Sequence, residues 1–165
     1  MAVYPILLYP DPVLTRPARK IKKLTPHYLK IIQHLSDTLA VQPGGIGIAA
    51  PQIGFPDQIA IVDVSPKEKG RKRLVLINPE ILEAGGEDVL RREGCMSVPD
   101  YTANVKRPFF VRIRWQNEEF SPCELLTDGL EALCIQHELD HLNGLLFLHK
   151  VASLTRDVFR RKKYL

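Results

Sequence analysis

The stretch Gln136–Gly144, with the sequence QHELDHLNG, constrains the fold of this chain most strongly. It contains the pattern His-Glu-x-x-His, with His137 and His141 four residues apart. Upstream residues continue the three- and four-residue spacing and Gly144 supplies a stop, which predicts a helix over about 128–143. Side chains four apart on a helix share a face, with Cβ atoms roughly 5–6 Å apart. Two imidazoles on that face can therefore bind one metal ion.

Glu138 lies three residues before His141, so it flanks the predicted metal site without having to bind the ion. Two histidines with a nearby carboxylate are typical of sites that activate a water molecule, with the carboxylate as proton acceptor. A helix that carries two histidines by chance is the simpler alternative. The intervening acid and the apolar flanks argue against it.

Length and composition indicate one globular domain. The chain has 165 residues, of which 45% are hydrophobic and 25% charged, enough for a sizeable core. No apolar run is long enough to cross a membrane, and the N-terminus lacks a basic start followed by an apolar block, so we expect a cytoplasmic protein. Three cysteines cannot all pair, and in a reducing compartment they indicate packing, reactive or metal-binding thiols. The net charge of +4 permits an anionic partner without requiring one.

Sequence patterns predict further helices and strands around this segment. Prolines make the arm over 1–24 extended, and Thr25-Pro26 opens a predicted helix over about 26–40. The residues of the glycine-rich stretch 44–52 are small enough to let another backbone, such as that of a ligand, come close. A tightly packed core strand is an equally good interpretation of this segment. We predict strands from the β-branched and apolar residues over 58–64, 73–78, 111–115 and 122–126, and a strand pair over 79–90 centred on Gly85-Gly86. The basic segment 153–163 indicates a short helix, and the whole chain, residues 1–165, reads as a single α+β domain.

A third metal ligand must come from elsewhere in the chain. Cys95 follows a glycine in a predicted turn, and a Cys-His-His set leaves an open coordination position for water. Cys134 competes for the role, but ligands at 134, 137 and 141 would spread over about 10 Å of helix axis. Cys134 therefore fits a pocket wall better, and Cys123 a strand core. Spacing alone leaves a distant carboxylate open in place of Cys95.

Three motifs, in this order and at these separations, together resemble peptide deformylase: Gly45-Ile46-Gly47-Ile48-Ala49-Ala50-Pro51-Gln52, Glu93-Gly94-Cys95-Met96-Ser97 and Gln136-His137-Glu138-Leu139-Asp140-His141. This family removes the formyl group from the N-terminal formylmethionine of newly made polypeptides. The resemblance runs from about Tyr9 to Lys150 and implies an α+β fold with antiparallel or mixed β-sheets wrapped around a central metal-binding helix. One departure is Thr102, which stands where many members carry an arginine near the substrate.

The resemblance also implies the roles of individual residues. Cys95, His137 and His141 would be the metal ligands and Glu138 the general acid and base. Gln52, through its side-chain amide, and Met96, through its backbone N–H, would stabilise the oxyanion. The implied cofactor is one divalent metal ion, most often Fe²⁺ in the family, with Zn²⁺, Ni²⁺ and Co²⁺ as alternatives.

Recognition of formylmethionine needs an apolar pocket beside His137 and a backbone edge for an extended peptide. We expect the substrate-binding residues to be Gly45, Ile46, Gly47, Glu93, Gly94, Leu130, Leu133 and Cys134, with Glu93 and Gly94 at the pocket rim. Ordinary core packing remains an alternative for Leu130 and Leu133.

The expected partners are N-formylmethionyl nascent peptides, and the ribosome through the basic C-terminus; neither a membrane nor DNA is expected. We also predict that Asp140 pairs with Arg107. Two other functions compete with the deformylase interpretation. One is a metallopeptidase, suggested by His-Glu-x-x-His alone, and the other is a noncatalytic ribosome-associated module with a structural metal.

Overall fold

An antiparallel sheet and two long helices form the fold, and the structure, a computed structural model, describes residues 1–162. In chain order the elements are α1 (Pro26–Ala40), β1 (Gly47–Ala49), β2 (Ile59–Val62), β3 (Leu74–Cys95), β4 (Val98–Gln116), β5 (Pro122–Asp128), α2 (Gly129–Leu142), α3 (Leu154–Asp157) and β6 (Val158–Arg160). Single 3₁₀ turns cover Pro12–Thr15, Ala50–Ile53 and Phe147–Lys150. The predicted α+β class is confirmed. None of the helices within residues 1–162 is long and apolar enough to cross a membrane.

The strands β1 to β5 pair in sequence order, each antiparallel to the next, and β6 adds to β4. The ladder between β3 and β4 is the longest and ends where Cys95 pairs with Val98. β5 pairs with the last part of β4, whereas β6 pairs with Tyr101–Ala103 near its beginning. The first part of β4 therefore lies between β3 and the C-terminal strand.

The strand β2 is buried on both faces, which explains its unbroken apolar sequence. Ala60 and Val62 pack in one cluster with the α2 residues Ala132 and Ile135. Ile59 and Ile61 pack in a second cluster with α1 residues, which are Ile31, Ile32, Leu35 and Leu39. Because successive side chains of a strand point to opposite faces, the two helices cover opposite faces of this part of the sheet.

The helix α2 ends at a glycine in the left-handed region, as the sequence predicts. Gly144 has φ 74°, and its N–H donates to the His141 carbonyl at 3.1 Å. The Leu145 N–H donates to the Asp140 carbonyl at 2.8 Å, which completes a Schellman motif. A Cβ on Gly144 would also lie 2.7 Å from the backbone carbon of Arg16. The glycine thus lets the N-terminal arm cross the helix end directly beyond His141.

The predicted strand pair over 79–90 is wrong, because this segment lies within the single strand β3. Gly86 has φ 79°, and the register shifts between Gly85 and Asp88, so the glycines form a bulge instead of a turn. The Phe110 ring takes the space that a side chain on Gly85 would need, with Cζ 2.9 Å from the position of a Cβ. The chain reverses instead at Met96-Ser97, between β3 and β4.

The predicted basic helix over 153–163 is also wrong beyond its first turn, and Lys163 lies outside the described residues. Only α3 is helical, and the chain continues as the strand β6. β6 completes the backbone pairing of Tyr101–Ala103, and the Arg92 guanidinium carbon lies 3.6 Å from the centre of the Phe159 ring. Strand pairing and this stacking outweigh a short helix that is mostly exposed.

Candidate active site

Three predicted metal ligands meet at one point, although they come from distant segments. Cys95 is the last residue of β3, and His137 and His141 lie on successive turns of α2. Their ligand atoms all lie within 4.8 Å of one another. The Cys95 Sγ is 3.2 Å from His141 Nε2, and the two imidazole centres are 5.1 Å apart. Among the described residues, this is the cluster with the geometry to hold a metal ion.

The chemistry of these donors fits a divalent metal ion. Burial alone would raise the pKa of the Cys95 thiol, but His141 and His137 outweigh it and hold that pKa well below its ordinary value. His137 directs Nδ1 to Glu93 Oε2 at 3.0 Å, which leaves its Nε2 available. A thiolate with two imidazoles is a good donor set for a borderline divalent ion and leaves a further position open.

A buried ionic network supports His137 from behind. Arg107 donates to Glu93 Oε2 at 3.0 Å through Nη2 and to Asp140 Oδ2 at 2.8 Å through Nη1, so the predicted pair with Asp140 is confirmed. The Arg107 side chain is 5% exposed. Burial opposes ionisation of Glu93, but hydrogen bonds from His137 and Arg107 lower its pKa to about 2. An ionised Glu93 fixes the orientation of the His137 ring.

The same network involves a residue predicted at the rim of the substrate pocket. The Glu93 carboxylate is directed inward to His137 and Arg107, with its side chain 12% exposed, and its part in substrate binding stays a prediction. Both carboxylate oxygens of Glu93 interact with these two side chains. The reason is charge: a buried carboxylate is stable only where cations and donors surround it.

Glu138 lies beside the cluster and is 3% exposed. Its Oε2 is buried and has no hydrogen-bond partner among residues 1–162. Burial raises the pKa of Glu138 to about 7, against the opposing effect of His137 and His141. A carboxyl group that titrates near neutrality can accept a proton and return it during a reaction.

Gln52 enters the site from the turn that follows β1. Its Oε1 accepts a hydrogen bond from the Ala49 N–H at 2.9 Å, which directs the amide nitrogen towards the cluster. Nε2 is 3.2 Å from Ser97 Oγ and 3.7 Å from Cys95 Sγ. Met96 follows Cys95 in the turn between β3 and β4, and its side chain packs against the apolar cluster beneath α1.

The predicted apolar wall lies against the first strand. The Cys134 Sγ is 3.4 Å from the Ile46 carbonyl oxygen, and a Cβ on Gly47 would meet both Cys134 and Glu138. Burial and Glu138 raise the pKa of the Cys134 thiol well above its ordinary value, so Cys134 is a neutral wall residue. Leu133 is buried and Leu130 is half-buried, both within two turns before His137. Gly45 and Ile46 are half-buried beside β1, and Gly94 is exposed beside Cys95.

Comparison with known proteins decides the family. A family model described as polypeptide deformylase matches residues 3–157. The chain belongs to the polypeptide deformylase family. Its members are metalloenzymes that remove the N-formyl group from nascent peptides.

Individual deformylases match this chain over nearly its whole length. The peptide deformylase of Bartonella quintana (strain Toulouse) is 39% identical over 165 residues, which covers 98% of this chain and 92% of that protein. The peptide deformylase of Thermodesulfovibrio yellowstonii is 39% identical over 162 residues, covering 98% and 97%. The crystal structure of a peptide deformylase from Synechococcus elongatus in complex with actinonin aligns with a TM-score of 0.84 at 36% identity, covering 91% of this chain and 79% of that chain.

Two features of this deformylase site were not visible in the sequence. Ser97 stands in a motif, but no pattern showed that its hydroxyl contacts the Gln52 amide. Arg161 lies in the basic tail, for which the sequence predicted a ribosome contact, yet its guanidinium packs against Gly94. Both contacts join segments far apart in the chain, so local spacing carried no signal for them.

Proposed function

We propose that residues 1–165 act as a single catalytic domain that hydrolyses the formamide bond of N-formylmethionyl peptides. In this proposal α2 is the central metal-binding helix, and Cys95, His137 and His141 hold one divalent ion. The observation that carries the proposal is the convergence of these three donors next to Glu138 Oε2, which has no hydrogen-bond partner in the described part of the chain. Membership of the deformylase family supports the choice of substrate.

We propose Fe²⁺ as the native ion, with Zn²⁺, Ni²⁺ and Co²⁺ as alternatives. The Cys-His-His donor set suits each of them. When bound, such an ion supplies Lewis-acid activation and can lower the pKa of a water molecule from its ordinary value to roughly 7.

Glu138 is the group that moves the proton. Its Oε2 takes a proton from the attacking water as the new C–O bond to the formyl carbon forms. The same carboxyl group then gives that proton to the methionine nitrogen as the C–N bond breaks, which leaves formate and a free amine. Its raised pKa of about 7 suits both halves of this cycle.

Gln52 and Met96 are proposed to stabilise the negative charge that develops on the formyl oxygen. The Gln52 amide is held by its bond from Ala49, so its N–H groups are oriented before substrate binds. The Met96 backbone N–H would be the second donor. Loss of one such donor typically costs about 3–4 kcal/mol of transition-state stabilisation.

The free edge of β1 supports the proposed mode of peptide binding. β1 is the first strand of the sheet order and pairs only with β2 among the described strands. An extended peptide can therefore add along Gly45-Ile46-Gly47 by main-chain hydrogen bonds. In this arrangement the methionine side chain enters the wall formed by Ile46, Leu130, Leu133 and Cys134.

We propose a cytoplasmic location and a ribosome contact through the basic C-terminus, since formylated chains emerge at the ribosome. Arg156 and Arg160 are exposed cations in this segment. Such binding should weaken steeply as salt rises. A double variant Arg156→Ala/Arg160→Ala that pellets with ribosomes like wild type would dismiss the contact.

The test of the main proposal is formate release from a formyl-Met peptide by protein purified without oxygen and loaded in parallel with Fe²⁺, Ni²⁺ or Zn²⁺. Glu138→Gln keeps the size of the side chain but removes the base, so we expect activity to fall by 10²-fold or more. Metal content measured on the same samples should be unchanged. Glu138→Gln protein as active as wild type would contradict the mechanism, and cleavage of unformylated peptides would favour a metallopeptidase.

A further inference from the structure

A guanidinium from the C-terminal segment lies beside one of the proposed metal ligands. Arg161 follows β6, and its backbone N–H donates to the Asp100 carbonyl at 2.8 Å, which extends the pairing with β4. Its Nη2 occupies the space next to Gly94 that a Cβ would fill, and its Cζ is 3.5 Å from that position. Gly94 immediately precedes Cys95. The sheet therefore brings a cation from the end of the chain to the edge of the site.

The Arg161 guanidinium has an N–H donor that no residue in the range 1–162 accepts. Arg161 forms no ion pair with another residue in the range 1–162, and its Nε is buried there without a hydrogen-bond partner. Arg92, on the same strand as Gly94, is fully engaged by contrast: it stacks on Phe159 and donates to Asn104 at 3.0 Å. A guanidinium carries five N–H donors, and an arginine that is partly buried normally finds acceptors for them.

The surroundings indicate which acceptor is missing. Gly94 is exposed and has no side chain, so a ligand backbone can approach both it and the guanidinium closely. Gly47 lies against Glu138, and Gly94 precedes Cys95, so each glycine adjoins a residue of the site. A peptide bound there offers main-chain carbonyl oxygens as acceptors.

We propose that Arg161 binds the main-chain carbonyl groups of the substrate that lie beyond the formylmethionine. This inference rests on the proposed deformylase function. It assigns substrate anchoring to a residue of the C-terminal segment and makes the β6 strand part of the binding site. Main-chain recognition at this point would be indifferent to the downstream sequence, as an enzyme for many nascent chains requires.

The alternative is that Arg161 only covers Gly94 and stabilises the sheet. A structural role would change stability, metal content or kcat for every substrate alike. A binding role acts only on substrates that have a carbonyl beyond methionine, and it changes KM. The two roles are therefore separated by pairing enzyme variants with a long and a short substrate.

The experiment uses the full chain loaded with metal and compares Arg161→Ala and Arg161→Lys with wild type. The matched control is Arg114→Ala, an arginine of β4 whose side chain is 56% exposed and which pairs with Glu80. The substrates are formyl-Met-Ala-Ala amide and formyl-Met amide, which has no carbonyl beyond methionine. We expect Arg161→Ala to raise KM for the longer substrate about tenfold, the usual scale for one charged hydrogen bond, with kcat unchanged. Arg161→Lys should recover most of the loss.

Binding gives a second readout that needs no turnover. The Kd of Met-Ala-Ala amide, measured calorimetrically with zinc-loaded protein, should rise about tenfold in Arg161→Ala and stay constant in Arg114→Ala. Equal effects on both substrates, or an unchanged KM and Kd with an active wild type, would overturn the role of Arg161. Wild-type protein that releases no formate from either substrate would instead refute the proposed function, and the Kd comparison would still decide the Arg161 contact.

Discussion

Arg107→Ala should destabilise the protein far more than the loss of an ordinary arginine. Arg107 is the one cation in contact with both Glu93 and Asp140 among the described ion pairs that are this deeply buried. Removing Arg107 takes away the cation that Glu93 and Asp140 share. The two buried carboxylates then repel each other with less neutralising charge nearby. Breaking a buried pair from one side costs about 3–5 kcal/mol in unfolding free energy. For a domain of this size that corresponds to a fall in Tm of about 6–20 °C.

Arg114→Ala is the matched control, because Arg114 also bonds a carboxylate, Glu80, at 3.0 Å but is 56% exposed. An exposed pair is worth about 0–1 kcal/mol, so its Tm should move by no more than about 4 °C. The assay is thermal unfolding followed by circular dichroism, with metal content determined on each sample. Similar Tm values for the two variants, with equal metal content, would refute the reasoning that the Arg107 network supports the site.

Three further predictions concern glycines and pH. Gly144→Ala should lower Tm by several degrees more than Gly70→Ala, since both have positive φ (74° and 86°) but only Gly144 faces backbone within 3 Å of a new Cβ; equal losses in thermal unfolding would show that the contact is unimportant. Gly47→Ala should reduce kcat by tenfold or more without loss of bound metal, because the Cβ displaces Glu138; wild-type kcat in the formate assay would contradict this. The pKa of Glu93 is about 2 when folded and 4.5 ordinarily, so its stabilisation is present above pH 4.5 and lost as pH falls towards 2. As pH falls from 4.5 towards 2, the unfolding free energy of Glu93→Gln should therefore decrease less steeply than that of wild type. Denaturant titrations in which both proteins lose stability with the same pH slope would exclude this linkage.

Segments with their own periodicity were predicted closely. The helix predicted over 128–143 spans Gly129–Leu142, and the helix predicted over 26–40 spans Pro26–Ala40. In both, the apolar spacing and the stop or start residues act within a few residues of each other, so the sequence alone contains the signal. The same locality explains why His137 and His141 could be placed on one face, with Glu138 beside them.

Gly85-Gly86 shows where local reasoning fails. The pair is a good turn sequence, yet β4 supplies a partner for β3 from Ile77 to Cys95 and Phe110 packs over Gly85, so the segment becomes a bulge. The prediction for the C-terminal segment fails for the same reason, because this segment pairs with the open side of β4 as β6. Both outcomes depend on a strand that is distant in sequence.

The sequence by itself determined the helix that presents two histidines and a glutamate, and the motifs that mark a deformylase. Only the tertiary structure decided that Cys95 reaches those histidines, that Glu93 turns inward to Arg107, and that Arg161 returns to Gly94. The physical reason is the separation in sequence over which each effect acts. Helical periodicity is set by hydrogen bonds four residues apart, whereas burial of charge and the choice of metal ligand depend on which distant segments the sheet brings into contact.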